Sequence, residues 1–264
     1  MSRAPACPIP EPLARALADA RSIVVLTGAG VSAESGVPTF RDAQTGLWAK
    51  FDPFELATPR AFARQHGLVW DWYAERRAAV ARALPNPGHR ALVAIEGRAP
   101  SFLLATQNVD GLHHRAGSRS IVELHGSLAR VRCSREDREV AAWDEPAPGE
   151  PPRCPDCGAF LRPDVVWFEE ALPAAAIERA EAAARACDLM IVAGTSAEVH
   201  PAAALPWLAR AAGATIVEIN PSATPLTRHA DHALRERSGV ALPAWVASAW
   251  PASAAPDAAG GGAK

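Results

Sequence analysis

Three groups of residues in this 264-residue chain have types and spacings that could do chemistry. The first is Gly28-Ala29-Gly30-Val31-Ser32-Ala33, directly after the apolar run at 23–26. Gly28 and Gly30 permit a tight turn and close backbone approach to a pyrophosphate, and the small Ala33 suits a helix packed on the strand. That is dinucleotide chemistry. A dehydrogenase would share it, but no acidic residue follows a second strand about 20 residues on to hold an adenosine ribose. The chain enters instead the polar loop Glu34-Ser35-Gly36-Val37-Pro38-Thr39-Phe40-Arg41-Asp42. The second group is Cys154-Pro155-Asp156-Cys157 with Cys133 upstream, three thiolates that could hold zinc, with Glu136 as a possible fourth ligand. The third is Tyr73 and Arg76, three residues apart in a helical stretch and so on one face. A phenol and a guanidinium together suit a carboxylate, Arg offering planar donors with permanent charge and Tyr a neutral donor.

The elements that must position these groups alternate. Short apolar runs at 23–26, 103–105, 121–124, 189–193 and 215–219 read as buried strands. Helical patterns lie at 11–20, 88–96, 174–186 and 202–212. Alternation of this kind implies a parallel sheet covered on both faces, an α/β fold. Two stretches break the rhythm. Residues 48–84, rich in Trp, Phe, Ala and Arg, read as an inserted helical module, and 130–163 as a small cysteine-bearing insert of loops and strands. The low-complexity tail 251–264 reads as disordered.

Composition narrows the class. Hydrophobic content of 49% with 21% charged residues is that of a globular protein, and the net charge of −2 offers nothing to nucleic acid or a membrane surface. No apolar run reaches spanning length, and the N-terminus lacks a secretory core. Five cysteines without a regular framework fit a reducing compartment, so a cytoplasmic location is expected. Two Lys, three Asn and one Tyr in a chain rich in Ala, Arg and Pro point to a biased composition, in which Asn108, Asn220 and Tyr73 gain weight as positions where residue type matters.

Gly28 to Arg41, reading GAGVSAESGVPTFR, resembles the signature loop of the sirtuin family. Thr106-Gln107-Asn108-Val109-Asp110, Leu124-His125-Gly126 and Gly194-Thr195-Ser196 follow in the family's order, with Asn220 closing the apolar run where the family has a ribose-contacting Asn. The resemblance covers roughly residues 13–247 and is nearest to the bacterial and mitochondrial desuccinylase-demalonylase branch. It implies a doubly wound, Rossmann-like NAD-binding domain from 10–47, 85–129 and 164–250, with a smaller domain built from the inserts at 48–84 and 130–163. It implies NAD as co-substrate and acyl-lysine proteins or peptides as substrates. The products are nicotinamide, O-acyl-ADP-ribose and free lysine.

The resemblance also assigns residues. Gly28, Ala29, Gly30, Ser32, Ala33, Glu34, Phe40, Arg41, Gln107, Asn108, Asp110, Gly194, Thr195, Ser196, Asn220 and Ser238 are expected to line the cofactor, with Phe40 and Arg41 closing over it. His125 is the expected base, since a neutral imidazole titrates near working pH; the other seven histidines read as structural. Gln107 and Asn108 can bond ribose hydroxyls or water without adding charge near a cationic centre, and Asn108 is expected to act in catalysis beside His125. Asp110 can take the nicotinamide carboxamide. Val166, Trp167 and Phe168 should run beside the substrate backbone, although Glu169 stands where the family usually has Gly. Cys133, Cys154 and Cys157 depart from the usual two C-x-x-C pairs. The Y-x-x-R spacing of Tyr73 and Arg76 matches the desuccinylating branch, which predicts acidic acyl groups, succinyl or malonyl, ahead of acetyl. Two readings compete with a deacylase: a mono-ADP-ribosyltransferase using the same pocket and a non-catalytic NAD-sensing module.

Overall fold

The apolar runs assemble into a single six-stranded sheet in the computed structural model, which describes residues 7–38, 52, 56–144 and 146–251. In chain order the strands are β1 Ser22–Thr27, β2 Ser101–Thr106, β3 Ile121–Glu123, β4 Gly126–Cys133, β5 Leu161–Val165, β6 Leu189–Ala193, β7 Thr215–Ile219 and β8 His232–Leu234. The helices are α1 Glu11–Asp19, α2 Pro59–Arg64, α3 His66–Arg82, α4 Pro87–Glu96, α5 Leu112–Ala116, α6 Ala174–Ala186, α7 Leu205–Ala211 and α8 Ser238–Ala249. The large sheet runs β3-β2-β1-β6-β7-β8, all parallel, while β4 and β5 form a separate antiparallel pair.

Burial on both faces explains why the strands are uninterrupted apolar runs. Val25, Leu104, Ile191 and Val217 point to one core with α1, α4 and α8, closed by the Trp245 indole donating to the Leu13 carbonyl at 2.7 Å. Val24, Leu103, Met190 and Ile216 point to the other, with α6 and α7. β1 is followed by β2 on one side and lies beside β6 on the other, so the chain reverses its winding between β1 and β6. At such a switch point the loops leaving the carboxyl ends of the strands splay apart and leave a crevice.

Sequence pattern and structure part company in several places. The pattern offers no helix over α8, where Pro243 sits inside, yet α8 packs its buried Ala241, Leu242 and Trp245 against α1 and α4. The expected helix at 202–212 divides into a 3-10 turn, Ala202–Ala204, and α7, which opens with a proline in its first turn where a missing N–H costs nothing. The expected packing of a helix on the strand at Ala33 does not occur. Residues 29–35 form two 3-10 turns ended by Gly36 at φ 77°, and Ala33 is exposed.

The helical module packs on the β4–β5 pair. Thr58 caps α2 by accepting from Ala61 N at 3.1 Å, and Phe62, Val69 and Tyr73 meet Leu128, Val165 and Trp167 in a core of their own. Trp70 joins Val131, Cys133 and Leu161 in an adjoining core, with the Arg77 guanidinium over its ring at 4.4 Å. β4 begins at Gly126, ahead of residue 130 where the sequence pattern changes.

Candidate active site

Gly28, Gly30 and Gly194 meet at the switch point because nothing larger would fit. A Cβ on Gly28 would lie 2.7 Å from Thr195 Cβ, one on Gly30 would lie 2.8 Å from the Gly194 carbonyl oxygen, and Gly194 itself has φ 60°. The loops after β1 and β6 therefore touch backbone to backbone, Gly30 N donating to Gly194 O at 2.8 Å. Asn220, at the end of β7, ties the third loop in by donating to Thr195 O at 2.9 Å, and Gln107 donates to Thr195 Oγ1 at 2.9 Å. Ala29 and Ser196 are partly exposed on these loops. The Glu34 carboxylate accepts from Gly239 N at 2.7 Å at the start of α8, beside the buried Ser238. Phe40 and Arg41 lie outside the described residues.

Beneath the crevice runs a buried polar network. Ser32 donates to Asp110 Oδ2 at 2.6 Å and accepts from Asn108 Nδ2 at 3.2 Å, while Asp110 Oδ1 accepts from Leu112 N at 2.8 Å. Its lower layer is made by Asn86, which sequence reasoning passed over, and by His89 and His113, two of the histidines read as structural. Asn86 caps α4 by accepting from Gly88 N and donates to Val31 O at 2.7 Å, holding the glycine turn. It is one of only three Asn in the chain, the same signal that singled out Asn108 and Asn220. The His89 Nδ1 accepts from Asn86 N at 3.3 Å, which leaves Nε2–H facing Ser32 Oγ at 3.5 Å. Thr27 donates to Thr106 Oγ1, so its oxygen accepts from His113 Nε2 at 3.0 Å. Burial holds the His89 pKa down at about 4, and burial with the neighbouring His89 holds His113 down at about 3.

His125 stands at the start of β4, its ring tautomer set by one contact. The Gln107 carbonyl can only accept, so Nδ1 carries the hydrogen across 3.0 Å and Nε2 keeps its lone pair. Burial lowers its pKa, opposed by that hydrogen bond. The ring is therefore neutral at pH 7 with a basic nitrogen to offer.

The segment after β5 lies alongside. Val166 N donates to His125 O at 3.0 Å and Phe168 N to Ala57 O at 2.9 Å, linking the β4–β5 pair to the helical module. Phe168 is among the exposed large hydrophobic residues. Glu169 adopts φ 75°, the left-handed shape that suits Gly, and its carboxylate is paired with Arg60. Behind it, Tyr73 is buried and accepts from Trp167 Nε1 at 3.0 Å. Burial pushes the Tyr73 phenol pKa up, opposed by the positive charge of Arg76, whose guanidinium lies over the Trp72 ring at 4.7 Å. Tyr73 and Arg76 thus share a face of α3, with Tyr73 against Trp167 and Arg76 against Trp72.

Away from the crevice, Cys133, Cys154, Cys157 and Glu136 bring their ligand atoms within 4.8 Å of one another. Arg138 donates to Glu136 at 2.9 Å and contacts Cys154 Sγ at 3.5 Å, a bond that lowers that thiol's pKa. Three sulfurs and a carboxylate at this spacing fit a tetrahedral zinc ion. Cys187 is buried elsewhere, donating to Ala184 O. No helix among the described residues is long and apolar enough to cross a membrane.

Known proteins repeat this arrangement. The Sir2 family matches residues 28–201. An NAD-dependent protein deacylase of Aquifex aeolicus is 51% identical over 221 residues, covering 84% of this chain and 92% of its own. One from Thermus thermophilus is 53% identical over 229 residues, covering 85% and 89%. A crystal structure of a Sir2 homolog–NAD complex is 46% identical with a TM-score of 0.86, covering 91% of this chain and 94% of that one. A Sir2 protein bound to acetylated peptide is 29% identical with a TM-score of 0.75, covering 86% and 92%. With two thirds of its length inside the family's own pattern and relatives at half identity over nearly their whole length, the chain belongs to the Sir2, or sirtuin, family.

Proposed function

We propose that this NAD-dependent protein deacylase removes acidic acyl groups, succinyl and malonyl, from lysine side chains of proteins or peptides. The reading rests on the pairing of Tyr73 and Arg76 on one face of α3, the phenol buried under Trp167 and the guanidinium charge acting on it. An acyl carboxylate could accept from both groups. An acetyl methyl offers neither an acceptor, which is how a polar pocket turns away an apolar analogue.

The glycine cradle at Gly28 and Gly30 and the uncharged donors Gln107, Asn108 and Asn220 fit a dinucleotide. NAD held there would supply a ribose carbon able to release nicotinamide and take the acyl oxygen. Asp110, held by Ser32 and Leu112 N, would take the carboxamide, and Asn108, bonded to Ser32, would orient a ribose hydroxyl or water. His125 Nε2 then takes the proton of the ribose hydroxyl that attacks the acyl carbon, its Nδ1–H bond to Gln107 O supporting the charge it gains. Val166 and Phe168 are assigned to the substrate backbone alongside Trp167. Zinc on Cys133, Cys154, Cys157 and Glu136 would brace the β4–β5 module and touch no reacting atom.

Mass spectrometry of succinyl-, malonyl- and acetyl-lysine peptides incubated with NAD tests the reading. Free lysine with O-acyl-ADP-ribose marks a deacylase, whereas ADP-ribosylated protein would mark a transferase. A charged hydrogen bond is worth roughly 1.5–3 kcal/mol, so Arg76→Met should cut desuccinylation by one to two orders of magnitude, as about 1.4 kcal/mol per tenfold requires. Deacetylation should fall far less. Equal losses on both peptides would reduce Arg76 to a brace for α3.

A further inference from the structure

The hydroxyl of Tyr73 has a direction as well as a place. An indole N–H can only donate, so in the 3.0 Å contact with Trp167 Nε1 the Tyr73 oxygen is the acceptor. A phenol that accepts still has one proton to give, and none of the described residues accepts it. Trp167 itself cannot turn away. Its ring is covered by the Arg162 guanidinium at 3.5 Å on one side and meets Phe62 at 5.3 Å. Its backbone N–H donates to Glu170 Oε2 at 2.8 Å, and the same carboxylate takes two bonds from Arg162, which is further held by Val165 O at 2.9 Å. The arrangement of Glu170, Arg162 and Trp167 therefore presents one fixed N–H to one phenol oxygen.

We propose that Trp167 is a positioning residue for acyl selectivity, its indole N–H occupying the Tyr73 oxygen so that the Tyr73 O–H is committed to donating to the acyl carboxylate. The inference rests on the acidic-acyl reading and deepens it. Without the indole N–H the phenol could rotate its hydrogen among several directions. It could also accept a water, and the donor would then have to be oriented anew for each substrate. A side chain that accepts a neutral hydrogen bond in this way is worth several-fold in binding, and the effect belongs in KM for the acidic substrate ahead of kcat.

The test is the ratio of kcat/KM for succinyl-lysine peptide to that for acetyl-lysine peptide, measured with Trp167→Phe, Tyr73→Phe and the double variant. Trp167→Phe keeps a ring over Arg162 and removes the N–H. It should lower the ratio about three- to tenfold, the range of one neutral hydrogen bond, with KM carrying the change. Tyr73→Phe should lower the ratio further, and the double variant should match Tyr73→Phe alone, since Trp167 acts only through that hydroxyl. An unchanged ratio in Trp167→Phe, or losses that multiply in the double variant, would overturn the inference. In wild-type protein labelled with 15N at tryptophan, one indole N–H resonance should move both on adding succinyl-lysine peptide and on Tyr73→Phe. It should move less with acetyl-lysine peptide, and an equal shift with both peptides would also overturn it. A selective Arg76→Met with an unselective Trp167→Phe removes only this inference. An unselective Arg76→Met removes the acidic-acyl reading beneath it.

Discussion

Acid should destabilise this protein through two buried histidines that do no chemistry. His113 and His89 lie with ring centroids 4.8 Å apart, both fully enclosed. The His113 Nδ1 has no hydrogen-bond partner among the described residues, so a proton added there would bring a buried charge with none of them to receive it. The His89 Nδ1 already accepts from Asn86 N, so protonation would break the cap of α4. Burial accordingly holds His89 at about 4 and His113 at about 3, against an ordinary 6.5. Both folded values lie below the unfolded one, so the unfolded chain binds the protons first. Stability is complete above about pH 6.5 and is lost as pH falls toward 4 and then 3. Each histidine removes about 1.4 kcal/mol per pH unit across that window, so the pair removes about 4 kcal/mol between pH 6.5 and about pH 5. That is a large share of a typical domain stability of about 5–15 kcal/mol. Urea unfolding followed by tryptophan fluorescence at about pH 7.5 and about pH 5 measures the loss. His113→Gln can still donate to Thr27 and cannot titrate, so its loss should be smaller by about 2 kcal/mol. Carboxylates and the remaining histidines contribute equally to both proteins and cancel. An identical acid loss in the variant would show that His113 does not stay neutral in the fold as its contact with Thr27 requires.

His125→Ala should lower deacylation by roughly 10²–10⁴-fold while NAD binding, followed by calorimetry, persists; a rate above half that of the wild type would remove His125 from the mechanism. Because burial depresses its pKa, His125 stays a free base below pH 6.5, and the acid limb of the kcat/KM profile should fall below that value. Glu169→Gly should raise stability by about 1 kcal/mol, since it relieves a left-handed backbone and loses only an exposed ion pair with Arg60. A melting temperature that drops would mean the Arg60 pair outweighs the strain. Metal analysis should return about one zinc per chain, and chelation should unfold the protein rather than inhibit the folded form; full stability in metal-free protein would exclude a structural zinc.

The strands and the cofactor loops are legible in the chain itself, for a local reason. A parallel strand covered on both faces must be apolar at every position, and a backbone that touches another backbone must be glycine. Residues 23–26, 189–193 and 215–219 and the pair Gly28 and Gly30 therefore announce themselves without any neighbour. The cysteine spacing and the Y-x-x-R pair are local in the same sense. What the chain could not announce depends on residues far apart in sequence. Ala33 looks like a helix contact and is exposed, because its loop turns in two 3-10 turns and its neighbour Glu34 reaches the N-terminus of α8, just over 200 residues on. Pro243 hides α8 from a propensity argument that burial of Trp245 overrides. β8 is three residues long and gains its hydrogen bonds only from β7. Glu169 takes a glycine's conformation because the turn at Trp167 and Glu170 and the Arg60 pair hold it there. The tautomer of His125, the neutrality of His89 and His113, and the single direction left to the Tyr73 hydroxyl each follow from a hydrogen-bond partner in another element. Residue types set which groups could act, and tertiary contacts decided which atom of each group is left free to do so.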